Sequence, residues 1–464
     1  MQQYDLCVIG AGPAGEKAAL QAARHGASVA VIEKGKHPGG ASVITGTIPS
    51  KSIRETVQYI NSLYSQGLTG VEVHLNKKIT IQELMYRKNI VEARRIEDIK
   101  RGYREAAIDY IQGEARFISP HELLVRQDGD EDTCHIHAKK IIIAVGTRPY
   151  RPADLPFDGK RVLDSDTILT MEHIPKSILI YGGGVIGCEY CSIFSKMGSR
   201  VHLIDPRGRL LDFLDHDIST ALQYLMQESG VTLKLGEQYA SVEVGEKLVH
   251  LHLKSGKKVG AEVMLFANGR TGNADLVDVE KAGLKMDSRN KLQVNDHYQT
   301  SVEHIYAVGD VIGFPSLAST SNEQGRLAAD HAVTGRDVSG FGKVFPIGIY
   351  TIPEVAMIGK TEDELTAAGV PYEIGVCRYK ELARGDIIGD HDGILKMIFH
   401  QDTRELLGVH ILGPNATEII HIGQAVMYYK GKLEYFCNEV FNFPTLSSAY
   451  KVAARDCLSR LELD

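Results

Sequence analysis

The sequence predicts an α/β protein with about three domains, two of which repeat the same strand–turn–helix–strand unit. The chain has 464 residues, which at roughly 150 residues per domain corresponds to about three domains. A glycine turn stands between a strand-like run and a helix-like run at Gly10, and the same arrangement returns at Gly182. After Pro346 the pattern changes to short alternating runs of the kind found in antiparallel strands.

Composition and charge exclude several classes of protein. Hydrophobic residues make up 43% of the chain and charged residues 24%, which is typical of a globular protein and excludes general disorder or a collagen-like fibre. No apolar run reaches the roughly 18 residues that a membrane helix needs, and residues 1–5 lack the basic start of a signal peptide. A net charge of −7 gives no reason to expect binding to nucleic acid or to an anionic membrane. We therefore expect a cytoplasmic protein.

The cysteines are seven in number and scattered, which argues against a disulfide scaffold. The only close pair, Cys188 and Cys191, forms a C-x-x-C pattern inside an apolar, helix-like stretch. We expect both thiols to be reduced and buried, and a redox role for the pair is the alternative.

The first glycine turn lies in the context that a dinucleotide-binding unit requires. A short apolar strand is predicted at 6–9, followed by the turn 10–15, an alanine-rich helix at 17–25 and a second strand at 28–32 that ends at Glu33. The turn reads Gly-Ala-Gly-Pro-Ala-Gly, which matches the G-x-G-x-x-G fingerprint.

Each glycine of that fingerprint has a physical task. Gly10 allows the tight turn, Gly12 lets the backbone approach a pyrophosphate, and Gly15 allows close packing of helix on strand. The start of the helix offers its free N–H groups and its dipole to the phosphates. Glu33 is placed to accept hydrogen bonds from ribose hydroxyls.

The second unit repeats this design about 170 residues later. The sequence predicts a strand at 177–181, the turn 182–187, a helix at 188–197 and a strand at 201–204 that ends at Asp205. Two complete units cannot share the pyrophosphate of one ligand, so the chain is expected to bind two dinucleotides in two Rossmann-like domains. Two facing redox cofactors imply electron or hydride transfer.

Further apolar runs complete the predicted architecture. Those at 140–145, 263–267 and 305–308 end in glycine-containing turns and are expected to return to the two sheets. In the last part of the chain, alternating runs at 394–399 and 407–412 predict antiparallel strands, and helical periodicity follows them. We therefore predict a third, α+β domain without a nucleotide turn, with a helix at 417–429.

Four segments together resemble the flavoprotein disulfide reductases, also called class I pyridine nucleotide-disulfide oxidoreductases. They are the first turn with its acid, residues 39–51, the second turn with Glu189, and residues 307–310. The resemblance implies that the first unit binds FAD tightly and non-covalently, the second binds NAD(P), and the third domain forms a homodimer, with higher oligomers also open. The expected divisions are FAD-binding at 1–150 and again at 276–342, NAD(P)-binding at 151–275, and dimerisation at 343–464.

The same resemblance implies two sets of cofactor-binding residues. Asp310 would hold the ribityl chain of FAD. For FAD the residues are Gly10, Gly12, Pro13, Ala14, Gly15, Glu33, Lys34, Gly39, Gly40, Gly46, Thr47, Lys51, Ala115, Gly146, Thr147, Asp310, Leu317 and Ala318. For NAD(P) they are Gly182, Gly184, Val185, Ile186, Gly187, Glu189, Asp205, Arg207, Arg209, Asn268, Gly269 and Arg270.

Several departures from the family pattern bear on function. The two redox cysteines are replaced by Ser42 and Thr47, neither of which can form a thiolate. Phe443 stands where the family has its acid–base histidine, and Ser448 stands where it has the orienting glutamate. We therefore expect the thiol chemistry to be absent.

The residues that the resemblance associates with hydride transfer are present in this sequence. Lys51 and Glu189 match an ion pair of the family beside the flavin and the nicotinamide, although a pair that only fastens two domains is the alternative. Val185 stands where several relatives have a tyrosine over the flavin, and we hypothesise that this lets one nicotinamide leave and another enter.

Within the family the closest similarity is to the soluble pyridine nucleotide transhydrogenases. It rests on residues 45–51, 267–273, 308–318 and 421–427. The implied activity is an oxidoreductase of the Si-specific NAD(P) transhydrogenase type, which moves hydride between NADPH and NAD by way of FAD in a ping-pong mechanism. The alternatives are an FAD-dependent NAD(P)H dehydrogenase or quinone reductase, a disulfide reductase with displaced cysteines, and a non-enzymatic flavoprotein.

In the second dinucleotide-binding unit, the strand predicted at 201–204 is followed by both an acidic residue and basic residues. Asp205 would favour the free 2′-hydroxyl of NAD, whereas Arg207 and Arg209 would favour the 2′-phosphate of NADP. One pocket that serves both nucleotides in turn would need such a mixture, and two solvated arginines are the alternative.

Two other patterns are interpreted as structural. Glu418 and His421 have the spacing of half a di-metal site, but no second Glu-x-x-His accompanies them, so we expect no metal. The charged residues at 87–104 are expected to form a solvated helix face with i,i+4 pairs.

Overall fold

The computed structural model describes residues 1–65, 80–127, 133–340 and 344–462. By its internal contacts the chain forms two compact units. Unit 1 comprises Met1–Ile53, Gln82–Tyr150 and Gly269–Lys343; unit 2 comprises Arg54–Ile81, Arg151–Asn268 and Val344–Asp464. The domain boundary expected between 342 and 343 lies outside the described residues, and the other expected boundaries stay predictions.

Unit 1 is built on a largely parallel sheet whose first strand is also its centre. The strand Gln2–Ile9 pairs in parallel with Val29–Glu33 on one side and with Thr133–Ile143 on the other. The described strands lie in the order Asp109–Gln112, Val29–Glu33, Gln2–Ile9, Thr133–Ile143, Glu122–Arg126 and Glu114–Ser119, and Ile305–Ala307 also pairs with Thr133–Ile143. The central strands are buried on both faces, as expected for a parallel sheet covered by helices.

The helices of unit 1 pack closely around this sheet. Their bounds are Pro13–Arg24, Gly40–Ile44, the start of Thr47–Ser65, Ile81–Glu105 and Ala318–Thr334, with short 3₁₀ turns at Ala274–Val277, Val279–Ala282 and Gly309–Ile312. A two-stranded ladder joins Thr147–Pro149 and Arg270–Gly272. A side chain at Gly325 would place its Cβ 2.0 Å from the carbonyl oxygen of Ala14, so the first and last of these helices are in backbone contact.

Unit 2 contains a second parallel sheet of the same kind. Its described strands lie in the order Thr232–Leu235, Arg200–Asp205, Ser177–Tyr181, Val263–Phe266 and Val162–Leu163. The helices Val185–Lys196 and His216–Glu228, a 3₁₀ turn at Thr167–Thr170 and an antiparallel sheet of Tyr239–Val244, Val249–Leu253 and Lys258–Ala261 accompany it.

The rest of unit 2 is the α+β part predicted from the alternating runs. An antiparallel sheet has the strand order Ile347–Ile349, Val355–Gly359, Leu406–Leu412, Ile394–His400 and Tyr372–Arg378. The helices are Glu362–Ala367, Ala383–Ile388, Ala416–Tyr428, Leu433–Asn438 and Ser448–Leu461, with a 3₁₀ turn at Tyr379–Glu381. The fold class predicted from the sequence is therefore confirmed.

Most predicted elements are confirmed within a few residues. The largest difference is at the strand predicted at 140–145, which spans Thr133–Ile143 in the structure. A smaller shift has a clear cause. The first helix begins at Pro13 rather than at 17, because proline at the first helical position has the backbone angle that a helix start needs. Cys188 and Cys191 are fully buried as predicted, and all seven cysteines are free. In the described part of the chain, no helix is both long enough and apolar enough to cross a lipid bilayer.

A buried lysine joins the two parts of unit 2. Lys396 is 1% exposed, and its Nζ donates to Asp215 Oδ1 at 2.9 Å, to Asp217 Oδ2 at 2.7 Å and to Glu362. Burial alone would lower the pKa of Lys396, but the hydrogen bonds to the three carboxylates outweigh it and raise the pKa above its ordinary value. The ammonium is therefore charged and fixes the start of the helix His216–Glu228 to the antiparallel sheet.

Replacing this lysine should destabilise unit 2 strongly. Lys396→Met would leave a cluster of carboxylates, one of them fully buried, without a cation, and we expect a loss of about 3–5 kcal/mol in the free energy of unfolding. The measurement is the urea midpoint of the transition followed by circular dichroism. Lys360→Met, at an exposed i,i+4 pair with Glu364, is the matched control and should cost about 0.5 kcal/mol or less. Equal losses in the two variants would contradict the assignment.

Candidate functional site

Both glycine turns have the backbone geometry that only glycine adopts readily. Gly10 has a φ of +103° and Gly182 a φ of +118°, and a Cβ at either position would lie within 2.7 Å of a carbonyl oxygen of the neighbouring strand's end. A Cβ at Gly15 would lie 1.9 Å from the carbonyl oxygen of Gly10, and one at Gly187 would lie 1.8 Å from that of Gly182. The two turns are therefore the same structure, built once in each unit.

Each turn leads into a helix whose N-terminus has no side-chain cap. Pro13–Arg24 follows Gly12, Val185–Lys196 follows Gly184, and neither helix start receives a hydrogen bond from a capping side chain. Uncapped N–H groups and the positive end of the helix dipole favour an anionic phosphate at this position. In unit 1 the pair Gly39–Gly40 lies against the turn, since the N–H of Gly39 donates to the carbonyl of Ala11 at 2.8 Å.

One carboxylate closes each turn. In unit 1, Glu33 Oε2 accepts from the N–H of Ala11 at 2.8 Å and its Oε1 accepts from the N–H of Gly35 at 2.7 Å. Glu33 remains partly exposed, so its other lone pairs stay available to ribose hydroxyls. The residues present therefore fit the adenosine half of a dinucleotide such as FAD.

In unit 2 the equivalent carboxylate is enclosed by an arginine. Asp205 accepts from the N–H of Gly183 and, at 2.7 Å, from the N–H of Arg207, which repeats the pattern of unit 1. Arg207 then adds its Nε at 3.0 Å and its Nη2 at 2.9 Å, and the Asp205 side chain is 0% exposed. Burial alone would raise the pKa of Asp205, but the hydrogen bonds from Arg207 and Gly183 outweigh it and hold the pKa below its ordinary value.

A second group of predicted FAD residues meets in unit 1. Thr147 Oγ1 donates to Asp310 Oδ2 at 3.2 Å and accepts from Arg270 Nε at 2.8 Å, while Arg270 Nη2 donates to the carbonyl of Thr147 at 2.9 Å. Arg270 and Gly269, which the resemblance assigns to NAD(P), thus belong by their contacts to unit 1. The remaining predicted FAD residues also lie in unit 1, where their contacts with the cofactor stay a prediction: Lys34, Gly46, Lys51, Ala115, Gly146, Leu317 and Ala318.

The remaining predicted NAD(P) residues lie in unit 2. Val185 and Ile186 form the first turn of the helix after the glycines, and Asn268 lies at the end of the unit's central segment. Glu189 is 4% exposed, and its Oε1 accepts from the N–H of Tyr350 at 3.0 Å. The ion pair of Glu189 with Lys51 stays a prediction.

Arg209 is directed towards protein groups. Its Nη2 donates to the carbonyl of Asp212 at 2.8 Å, and its Nη1 lies 3.5 Å from Asp363 Oδ2. Asp212 itself was missed by the sequence reasoning, because nothing in the linear pattern marks an acid seven residues after Asp205 as a partner of the nucleotide loop.

The thiol positions of the family pattern carry no sulfur. Ser42 lies in the short helix Gly40–Ile44, Thr47 begins the helix Thr47–Ser65, and the side chain of Phe443 is 75% exposed. Burial raises the pKa of the Cys188 thiol and of the Cys191 thiol well above the ordinary value. A raised pKa opposes the thiolate form that a disulfide reductase with displaced cysteines would need.

The described residues contain one carboxylate cluster with metal-like spacing, and a lysine occupies it. The cluster is Asp215, Asp217 and Glu362, and all three accept hydrogen bonds from Lys396 Nζ. Glu418 and His421 are not part of it.

Asp205, the enclosed carboxylate of unit 2, should make the stability of the folded chain depend on pH in a defined way. Because the pKa of Asp205 is lower in the folded chain, its contribution to stability is present above the unfolded pKa of about 3.9 and is lost as the pH falls through the folded pKa. Asp205→Asn should therefore cost about 1–3 kcal/mol near neutral pH, and the difference from the native chain should shrink below about pH 4. Thermal unfolding across this pH range is the measurement, with the exposed Asp363→Asn as control. A difference that stays constant down to about pH 3 would contradict the assignment.

Comparisons with known proteins agree with this geometry. The family model described as pyridine nucleotide-disulphide oxidoreductase matches residues 4–325, and the dimerisation-domain model of the same name matches residues 345–454. A protein named soluble pyridine nucleotide transhydrogenase from Mycobacterium bovis is 45% identical over 461 residues, covering 99% of this chain and 98% of the relative. One of the same name from Vibrio parahaemolyticus is 46% identical over 472 residues, covering 99% of each.

Solved structures give the same result. The HOCl-induced flavoprotein disulfide reductase RclA from Escherichia coli, in its Cu(II) complex, superposes with a TM-score of 0.89 at 25% identity, covering 98% of this chain and 99% of its own. LpdA from Mycobacterium tuberculosis gives the same TM-score, identity and coverage. From its two glycine turns to its C-terminal α+β part, the chain belongs to the pyridine nucleotide-disulphide oxidoreductase family.

Proposed function

We propose that this chain is an FAD-dependent, Si-specific transhydrogenase that moves hydride between NADPH and NAD by a ping-pong mechanism. The observation that carries the proposal is the retention of both dinucleotide turns in a chain with Ser42 and Thr47 at the redox-cysteine positions. Such a chain can exchange hydride between nucleotides but cannot pass electrons to a disulfide through a thiolate. The name of its relatives, soluble pyridine nucleotide transhydrogenase, supports the same activity.

The residues of unit 1 are suited to hold FAD tightly without a covalent bond. The turn at Gly10 and the uncapped helix would receive the pyrophosphate, and Glu33 would accept from the ribose. Asp310, oriented by Thr147 Oγ1, would accept from the ribityl hydroxyls. When bound, FAD supplies reversible uptake and release of a hydride.

Two charged side chains are proposed to assist the transfer. Lys51 would place a cation near the negative charge of the reduced cofactor, where fixed charge is most effective. Glu189 would pair with Lys51 and help to orient the nicotinamide, and its carboxylate is held by the N–H of Tyr350. The chain's contribution to rate is then mainly orientation, since the reaction needs only a short distance between donor and acceptor.

A single nucleotide site in unit 2 would serve both substrates in turn. NADP must leave before NAD enters, which is the reason for a ping-pong order. Val185 at the first residue of the helix is small, so it does not oppose this exchange. Residues 345–454 match a dimerisation domain, and we propose that the working form is a homodimer.

The test is an anaerobic assay of the FAD-loaded protein with NADPH and thio-NAD, with no disulfide or quinone present. We expect rapid formation of thio-NADH and parallel lines in double-reciprocal plots, as a ping-pong order requires. Bleaching of the flavin by NADPH without thio-NADH would support the alternative, an NAD(P)H dehydrogenase or quinone reductase with another acceptor. No bleaching would indicate a non-enzymatic flavoprotein.

Glu189→Gln should slow the transfer without removing the cofactor. Loss of the charge would misplace the nicotinamide, and we expect the anaerobic rate of flavin reduction by saturating NADPH to fall by about tenfold or more. Glu228→Gln, at the exposed end of another helix of unit 2, is the matched control. Ser42→Ala should keep the native rate. A Glu189→Gln variant with the native rate and the native FAD content would contradict the proposed role.

A further inference from the structure

We propose that Asp212 determines how the nucleotide site of unit 2 divides its affinity between NAD(H) and NADP(H), by competing with the 2′-phosphate for Arg207. The inference rests on the proposed function and deepens it. It concerns binding, so it can be tested without turnover.

Arg207 lies where the adenosine ribose of a dinucleotide is recognised. It follows the strand Arg200–Asp205, whose C-terminal end is the ribose position of such a unit. Its Nη2 lies 3.9 Å from the point where a Cβ on Gly184 would stand, so the guanidinium rests against the glycine turn. A 2′-substituent of a bound nucleotide therefore comes near this guanidinium.

Asp205 cannot be the group that distinguishes the two nucleotides. Its carboxylate already accepts four hydrogen bonds, from the N–H groups of Gly183 and Arg207 and from Arg207 Nε and Nη2. Four is about the number of lone-pair sites that a carboxylate has. With its side chain 0% exposed, Asp205 fixes the arginine and leaves recognition to the outer side of the guanidinium.

Asp212 occupies that outer side. Its Oδ1 accepts from Arg207 Nη1 at 2.8 Å, and its side chain is 49% exposed, against 39% for Arg207. The backbone at this point is held, because the carbonyl of Asp212 accepts from Arg209 Nη2 at 2.8 Å. The pair Arg207–Asp212 is thus the solvent-facing part of an ion network whose inner part is buried.

The two nucleotides would meet this pair differently. A 2′-phosphate carries more negative charge than a carboxylate and is repelled by Asp212 while it is attracted by Arg207. A 2′-hydroxyl can instead donate a hydrogen bond to the Asp212 carboxylate, which is a stronger acceptor than a neutral amide oxygen. The same carboxylate therefore favours NAD(H) and opposes NADP(H), and brings the two affinities closer together than the arginine alone would allow.

The experiment measures the binding of ADP-ribose and of its 2′-phosphate to the FAD-loaded protein by titration calorimetry. In Asp212→Asn we expect the ratio of the two dissociation constants to shift by about three- to tenfold in favour of the phosphorylated ligand. The shift should shrink when salt is raised from about 50 mM to about 500 mM, because the pair is partly exposed. Arg207→Gln should shift the ratio in the opposite direction.

The matched control is Asp363→Asn. It removes one negative charge from the neighbouring ion pair of Arg209 and leaves the Arg207–Asp212 contact intact. The inference would be overturned if Asp212→Asn changed the two dissociation constants equally or not at all. It would also be overturned if Asp363→Asn shifted their ratio as much as Asp212→Asn does.

If the ratio shifts as expected but NADPH and thio-NAD do not react, the proposed function fails and the recognition assigned to Asp212 remains. If transfer occurs and the ratio is unchanged, only the inference fails; if the native chain binds neither ligand, both fail.

Discussion

A carboxylate that accepts two backbone N–H groups closes each glycine turn, and the rest of both units is arranged around this interaction. The parallel register places Ile9 beside Ile32, so that Glu33 comes next to the turn that follows the first strand. The Glu33 carboxylate accepts from the N–H of Ala11 in the turn and from the N–H of Gly35 in the loop after the second strand, and the N–H groups at the start of the helix receive no side-chain cap and remain available to phosphate. Packing of the helix onto the strand, which requires Gly15, then fixes the distance between the phosphate and ribose positions.

The two units diverge at the second residue after the acid. Gly35 has no side chain and leaves Glu33 partly exposed, whereas Arg207 encloses Asp205 and extends to Asp212. In unit 1 the partly exposed carboxylate of Glu33 is available to ribose hydroxyls, and this arrangement suits a resident cofactor. The site in unit 2 offers a guanidinium whose charge is balanced by two carboxylates, and this suits exchange between nucleotides that differ by one phosphate.

The local parts of this structure could be predicted from the sequence, and the long-range parts could not. The strand Ser177–Tyr181 follows from an apolar run and a glycine turn, and it is found where it was predicted. The contact of Lys396 with Asp215 joins residues 181 apart, and that of Arg270 with Thr147 joins residues 123 apart. Such pairs depend on how whole sheets pack, so they cannot be predicted from a local sequence pattern. The enclosure of Asp205 was likewise missed, because the sequence shows neighbouring charges without their geometry.

In the mechanism that we propose, one exchangeable nucleotide site works with one resident cofactor. The most direct measurement separates the two half-reactions under anaerobic conditions. The FAD-loaded protein is reduced with one equivalent of NADPH, the NADP formed is removed by gel filtration, and NAD is then added while the flavin absorbance is recorded. We expect the flavin absorbance to be recovered with formation of a stoichiometric amount of NADH. A reduced protein that cannot be reoxidised by NAD after NADP has been removed would contradict it.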